Sequence, residues 1–289
     1  MDQNKVAKAN SSPWLYFVLA LGWSWLFWIA LAIFGTDISK APGKIWFGVG
    51  IFGPSVAAIV LTYVLGDEQA RHDFWDRVVS YTRITPAWYV IILLFAPLYS
   101  LLAIITGLVL HGALPLLDTP VRYITNPLTI IPFALLTLIY GPLPEELGWR
   151  GYALDRLQRN HGALLSSTIL GVVWSVWHLP MFFLHGSIMS DVFPLRSTLF
   201  WVTMGPGLIA TAIIMTWIYN NTQRSILGAI MCHFMMNFTG EFLRLPSDYK
   251  TYQFIWIIAV AILIVIFCEP TKFKGRRRQA RKDIEHNSI

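Results

Sequence analysis

The sequence predicts an all-α, polytopic membrane protein with about eight transmembrane helices. Hydrophobic residues make up 55% of the 289-residue chain and charged residues only 13%, whereas soluble domains carry about 25% charged residues. The mean hydropathy is +0.55. Aromatic residues make up 15% of the chain and include 13 Trp, and Trp and Tyr are enriched at membrane–water interfaces. This composition excludes an ordinary soluble enzyme.

Eight apolar runs are long enough to cross a membrane, for which a helix needs about 20 apolar residues. The first run exceeds the roughly 7–15 apolar residues of a signal peptide, so we expect it to be retained as a helix. The predicted spans are Trp14–Phe34, Ile45–Leu65, Ala87–Leu110, Leu128–Glu146, Gly162–Leu184, Leu199–Tyr219, Ser225–Phe242 and Tyr252–Cys268.

Basic residues are distributed unevenly between the loops, and cytoplasmic loops of membrane proteins carry the excess of Lys and Arg. If both termini of an eight-span chain are cytoplasmic, 16 Lys and Arg lie inside and 6 lie outside. The outside residues are Lys40, Lys44, Arg122, Arg196, Arg244 and Lys250. We therefore predict a multi-pass protein of the cell membrane with both termini in the cytoplasm.

The chain is predicted to form a single membrane domain, residues 1–289, that ends in a basic cytoplasmic tail at 270–289. Seven of the 22 Lys and Arg lie between Lys272 and Lys282, directly after the last apolar run. A basic segment beside a membrane contacts anionic lipid headgroups, so we expect a lipid partner and no nucleic acid. Cys232 and Cys268 lie inside apolar runs, which fits neither a disulfide framework nor a zinc motif.

The first candidate functional motif is a pair of adjacent acids at the end of the fourth apolar run. Ionisable groups inside a membrane are costly and usually functional. Glu146 and Arg150 are four residues apart, so on a helix they share a face and can pair, while Glu145 points roughly 100° away. An ion pair at a helix end explains Glu146 and Arg150, but it leaves the second carboxylate unexplained. Glu145 is thus a candidate base.

Two further motifs place histidines inside spans. In the fifth span, Trp174 lies one turn before His178, and Pro180 is expected to bend or end the helix. In the seventh span, His233 and Asn237 are four residues apart and face the same direction. The structural alternatives are a packed polar histidine and an interhelical hydrogen-bonding pair, respectively.

The three motifs can meet at one depth. If the fourth and fifth spans form a hairpin that turns near Asn160, Glu145 and His178 both lie roughly 22–27 Å from the turn. A carboxylate can then deprotonate water while a histidine orients it, and a second histidine and an amide can stabilise an oxyanion. Two His and one Glu also match the ligand set of hydrolytic zinc sites. A transporter or a non-proteolytic regulator is the alternative class, because buried acids and histidines also build proton relays.

At these residues the chain resembles the CPBP family, which comprises CAAX proteases and bacteriocin-processing enzymes and is also called the Abi family. The family pattern is E-E-x-x-x-R, then an aromatic residue upstream of a His, then H-x-x-x-N. The aromatic position is often Phe in the family, and we expect the Trp at this position to leave the chemistry untouched. The matching residues, within a catalytic core at 128–243, are Glu145, Glu146, Arg150, Trp174, His178, His233 and Asn237.

The resemblance implies an eight-helix intramembrane endopeptidase with a conical active-site cavity. It implies that Glu145 is the general base, that His178 lies beside the water, and that His233 and Asn237 form the oxyanion site. Glu146 belongs to the catalytic set and holds the geometry with structural support from Arg150 and Trp174. The implied substrates are membrane-associated or lipidated proteins and peptides, although some family members act as immunity proteins.

Descriptions of the family differ on whether a metal takes part. The spacing of His233 and Asn237 suits two donors aimed at an oxyanion, whereas a zinc site would need a third strong ligand, and an amide is a poor one. We therefore expect no required cofactor. The alternative is Zn²⁺ held by Glu145, His178 and His233.

The topology is testable with reporter fusions. With eight spans and cytoplasmic termini, fusions after Lys250 and after Lys282 should report opposite sides of the membrane, because one span separates these positions. Reporter activity from the same compartment at both positions would contradict this arrangement.

Overall fold

The structure is a computed structural model that describes residues 12–187 and 203–274. Most of these residues are helical, and we number the α-helices in chain order. They are α1 Pro13–Ile33, α2 Gly43–Ile51, α3 Gly53–Leu65, α4 Glu68–Val79, α5 Pro86–His111, α6 Asp118–Thr125, α7 Ile130–Ile139, α8 Pro142–Gly148, α9 Asp155–Gln158, α10 Ala163–His178, α11 Leu208–Asn221, α12 Ile226–Leu243 and α13 Ser247–Phe267.

The predicted fold class is confirmed, because six helical segments of the described ranges are long and apolar enough to cross a membrane, or seven if one bent pair counts as a span. The exact number of eight stays a prediction. The sixth predicted span, Leu199–Tyr219, lies partly outside the described residues, and its described part is a π-helical segment Thr203–Gly207 followed by α11.

The second predicted span is a bent pair rather than one helix. Helices α2 and α3 meet at an angle of 43°, and Pro54 in the first turn of α3 lacks the N–H that a continuous helix would use. The bend lies against α1, where the Ser24 hydroxyl donates to the Gly50 carbonyl at 2.7 Å. A Cβ at Gly50 would collide with the Trp28 ring and one at Gly53 with Ser24. Glycine is therefore needed for this close helix contact.

The predicted end of the fourth span at Glu146 is wrong. The apolar segment breaks after α7 at Gly141, restarts as α8 with Pro142 in its first turn, and continues helically to Gln158. Between α8 and α9 it forms a π-helical segment, Trp149–Leu154. Arg150, which we expected to be a cytoplasmic charge, is consequently fully buried.

The predicted hairpin between the fourth and fifth spans is confirmed. The chain turns at residues 159–162, and α10 then runs from Ala163 to His178. After His178 the helix tightens into a 3₁₀ turn, Leu179–Phe183, with Pro180 in its first turn. The predicted effect of Pro180 on the helix is therefore also confirmed.

Residues after α13 pack under this hairpin. Backbone carbonyls of Pro270 and Thr271 accept from the N–H groups of Leu164 and Ala163 at 2.9 and 2.8 Å, so they satisfy free donors at the start of α10. The Phe273 side chain is fully buried. The predicted tail thus begins as a packed segment, while its residues 275–289 lie outside the described ranges, and the contact with lipid headgroups stays a prediction.

Candidate active site

Three helices carry the acids and histidines of the motifs, and all four of these side chains are nearly closed off from solvent. Glu145 and Glu146 lie on α8, His178 ends α10, and His233 lies in α12. The exposed fractions of these residues are 5%, 0%, 8% and 5%, respectively. Groups of this kind are stable in a protein interior only when they are paired or hydrogen-bonded.

Glu146 is bound on both of its oxygens. Arg150 Nη1 donates to Oε1 at 2.8 Å and to Oε2 at 2.9 Å, so the pairing predicted from the spacing is confirmed. His233 Nδ1 lies 2.8 Å from Glu146 Oε1. The ion pair is therefore one part of a buried chain from Arg150 through Glu146 to His233, which links α8, the π-helical segment and α12.

Glu145 has a different partner. The indole Nε1–H of Trp174 donates to Glu145 Oε2 at 2.6 Å. Phe has no donor to offer at this position. The expectation that Trp in place of Phe leaves the chemistry untouched stays a prediction. An indole N–H cannot give up its proton at ordinary pH, so it holds the carboxylate in place without competing for the proton that a base would take up.

His178 is oriented by its own helix. Its Nδ1 lies 2.8 Å from the carbonyl oxygen of Trp174, one turn earlier. A carbonyl only accepts, so Nδ1 carries the proton and Nε2 of the neutral ring is left with a lone pair. The edge of the Trp177 ring packs against the imidazole, with ring centroids 4.8 Å apart.

Trp174 is the point at which the three motifs meet. Its ring centroid lies 5.9 Å from that of His178 and 5.4 Å from that of His233, while its nitrogen binds Glu145. The Arg150 guanidinium carbon lies 5.1 Å from the same ring, in the range of a cation–π contact. The structure thus brings together residues that are up to 88 positions apart in the sequence.

Asn237 approaches the site from α12 beside the break in the fourth span. A Cβ built on Gly141 would lie 3.0 Å from Asn237 Nδ2 and 3.7 Å from Glu145 Oε1. Both polar groups therefore flank the Gly141 backbone. A side chain at Gly141 would press against the amide, so the glycine allows Asn237 to lie this close to the backbone.

The geometry fits a zinc site only in part. His178 and His233 each use Nδ1 for a carbonyl or a carboxylate, and histidines that bind a metal through Nε2 typically make such a contact. However, the described ranges contain no group of three His, Cys, Asp or Glu side chains that could hold a metal ion. Glu145, His178 and His233, the ligand set named from the sequence, therefore do not converge as a three-ligand site in this arrangement. Whether a metal takes part stays a prediction.

Sequence reasoning missed a cluster of buried tryptophans next to the histidines. Trp28, Trp149 and Trp177 are almost fully buried, although the abundance of Trp suggested residues at the membrane interface. Trp177 Nε1 donates to Ser24 Oγ at 2.7 Å, so α1 helps to fix the end of α10. The proximity of Trp177 to His178 was the available signal, but nothing in the pattern indicated Ser24 as its partner.

Two comparisons show which known proteins this chain resembles. Residues 127–239 match the family model described as type II CAAX prenyl endopeptidase Rce1-like. Over these residues, which carry its motifs, the chain is thus similar to the CAAX-protease family. It is also 25% identical over 264 residues to a CAAX prenyl protease 2 from Methanococcus maripaludis, an alignment that covers 90% of this chain and 96% of the relative. These similarities support a peptidase, and the apolar helices support a multi-pass membrane protein. The matched residues contain all three motifs.

The Trp174 contact yields a test. Trp174→Phe keeps an aromatic ring but removes the hydrogen bond to Glu145, and hydrogen bonds to charged groups contribute about 1.5–3 kcal/mol. We expect kcat to fall by about tenfold with little change in KM, measured on a peptide substrate in detergent.

The matched control for Trp174→Phe is Trp256→Phe, which removes an indole bond to Thr106 Oγ1 of 3.0 Å between α13 and α5. This variant should retain the kcat of the unmodified chain. Equal kcat values for Trp174→Phe and the unmodified chain would contradict a role for the indole.

Proposed function

We propose that this peptidase cleaves peptide bonds of membrane-associated or lipidated proteins and peptides with a water molecule activated by Glu145. The observation that carries the proposal is the unequal use of two adjacent carboxylates. Glu146 binds an arginine and a histidine, whereas Glu145 is held on Oε2 by a neutral indole. Of the two acids, Glu145 is therefore the one free to accept a proton.

In the proposed reaction Glu145 takes a proton from water as the water oxygen attacks the carbonyl carbon of the scissile peptide bond. The bond between that carbon and the amide nitrogen then breaks, and Glu145 passes the proton to the leaving nitrogen. His178 is proposed to orient the water, because its Nε2 lone pair can accept a hydrogen bond from it. The carbonyl of Trp174 supports this role, since it fixes the protonated nitrogen on the other side of the ring.

The oxyanion that forms in this step is proposed to lie between Asn237 and His233. Asn237 offers amide N–H donors. His233 uses Nδ1 for Glu146, so Nε2 donates only if the ring carries both protons. The Glu146 carboxylate fixes the orientation of the His233 ring, which gives the Glu146–His233 contact a function in the reaction.

The first substrate class to test is a prenylated peptide with a C-terminal CAAX sequence. The support is the similarity to the CAAX prenyl protease 2 of Methanococcus maripaludis, which extends over 96% of that relative. The burial of the site among membrane-spanning helices also favours a substrate that already lies in the membrane.

The proposed reaction needs no resident metal. Its support is the combination of a carboxylate held as a base and an amide placed beside it, together with the lack of a three-ligand group among residues 12–187 and 203–274. Zinc bound by Glu145, His178 and His233 after rearrangement of these side chains is the alternative, and the two forms differ in metal content.

Substitution of the proposed base tests the mechanism. Glu145→Gln keeps the size of the side chain and its contact with the indole but cannot accept a proton from water, and His178→Ala removes the water-orienting ring. A general base contributes roughly 10²–10⁴-fold, so we expect turnover of a prenylated peptide to fall by at least about 10²-fold in each variant.

Membrane insertion and the elution volume of the purified protein should be unchanged in both variants, which serves as the control for folding. Near-normal turnover by Glu145→Gln would mean that Glu145 is not the base, and Glu146 would have to be reconsidered.

Metal analysis tests the cofactor proposal. Purified active protein should contain far less than one zinc per chain, and chelation should leave kcat unchanged. Stoichiometric zinc, with activity that is lost on its removal and restored on its return, would contradict the proposal while leaving the peptidase assignment intact.

A further inference from the structure

The π-helical segment Trp149–Leu154 directly follows α8, the helix that carries Glu145 and Glu146. Helices of this kind are rare and occur mostly as short insertions near functional sites. The segment contains Arg150, the partner of Glu146, so its position sets where the guanidinium points. Whatever holds this segment therefore acts on the buried chain from Arg150 to His233.

A residue from outside the matched region 127–239 binds this segment directly. Arg77, on the cytoplasmic helix α4, is only 4% exposed, and its Nη2 donates to the carbonyl of Gly151 at 3.2 Å. Its Nη1 lies 2.9 Å from Asp155 Oδ2, at the end of the same segment. One guanidinium thus binds both the π-helical segment, at Gly151, and the residue that follows it, Asp155.

Close packing of α4 against Gly151 adds to these hydrogen bonds. A Cβ at Gly151 would lie 2.9 Å from Phe74 Cε2 and 3.1 Å from Ile226 Cδ1, so α4 approaches the segment as closely as a glycine permits. Phe74 is 2% exposed and lies one turn before Arg77 on α4. Both residues therefore contact Gly151. The Phe74 ring packs where a side chain would be, and the Arg77 guanidinium donates to the carbonyl.

Asp155 anchors Arg77 from a second side. Tyr219 Oη donates to Asp155 Oδ1 at 2.8 Å and accepts from Arg77 Nη1 at 2.6 Å, and Arg224 also binds this carboxylate. The hydrogen bond to Asp155 raises the pKa of the Arg224 guanidinium above its usual range, so the cluster keeps its charges at every physiological pH. A fully paired cluster of this kind fixes Arg77 in one orientation.

We propose that Arg77 is a positioning residue, which holds the π-helical segment from the cytoplasmic helix α4 so that Arg150 and Glu146 keep His233 in its reactive orientation. Helix α4 thereby helps to position the site. The inference rests on the proposed role of His233 in the reaction.

Arg77→Lys is the test. Lysine retains the positive charge for Asp155, but one ammonium group cannot reproduce the planar fork that reaches Asp155, Tyr219 and Gly151 together. A misplacement of about 1 Å can cost about 10²-fold in rate, so we expect kcat to fall by about tenfold or more. KM should change by less than about twofold, because the substrate contacts are untouched.

Arg83→Lys is the matched control. Arg83 belongs to the same cytoplasmic charge network and donates to Asp76 at 2.9 Å and to the Gln223 carbonyl at 2.7 Å, but no contact joins it to the π-helical segment within the described residues. Its kcat and KM should equal those of the unmodified chain. An equal loss of kcat in both variants, or a loss confined to KM, would show that the effect is general and would overturn the inference.

Gly151→Ala keeps the inference testable if Arg77→Lys does not fold. Its methyl group would press against the Phe74 ring and shift the segment away from α4 while leaving the ion pairs in place, so kcat should again fall with KM preserved. Folded protein with unmodified kcat would overturn the inference. Failure of the proposed base mechanism can be distinguished from failure of this inference. The turnover of Glu145→Gln decides the first, and the kcat of the Arg77 and Gly151 variants decides the second.

Discussion

The buried pair of Arg150 and Glu146 is the interaction on which the rest of the site depends. Both side chains are completely inaccessible to solvent, and an unpaired charge in such a place would cost several kcal/mol. Glu146 therefore stays bound to Arg150. This leaves Glu145 as the acid with a free acceptor oxygen, and it provides His233 with a fixed carboxylate partner. A single ion pair thus assigns different tasks to two chemically identical neighbours.

Neutral side chains position Glu145 in this buried site, where each further charge would have an unfavourable desolvation free energy. Trp174 contacts Glu145, which is the proposed base, both histidines and the guanidinium, yet it contributes no charge of its own. In a low-dielectric interior an indole dipole is a strong enough donor to position a carboxylate. A lysine or arginine in its place would pair with Glu145 and remove the base. The preference for indoles over cations around Glu145 is therefore consistent with a group that must accept a proton.

Much of this arrangement was predictable from sequence, because its determinants are local. The spans follow from runs of apolar residues, the Glu146–Arg150 pair from a spacing of four, and the hairpin from the polar turn near Asn160. The bend between α2 and α3 and the π-helical segment at Trp149 were not predicted, since both arise from packing against α1 and α4. The contacts of Ser24 with Trp177 and of Arg77 with Gly151 join positions more than 70 residues apart, and no spacing rule reaches across such distances.

Thermal unfolding of Glu145→Gln and Glu146→Gln in lipid nanodiscs tests the division of labour between the two acids most directly. Breaking a buried ion pair typically costs about 3–5 kcal/mol, so Glu146→Gln should lower Tm markedly. Glu145→Gln should retain or raise Tm, since a catalytic carboxylate is usually held at some expense of stability. A Glu146→Gln protein as stable as the unmodified chain, or an equal loss of Tm in the two variants, would contradict the account.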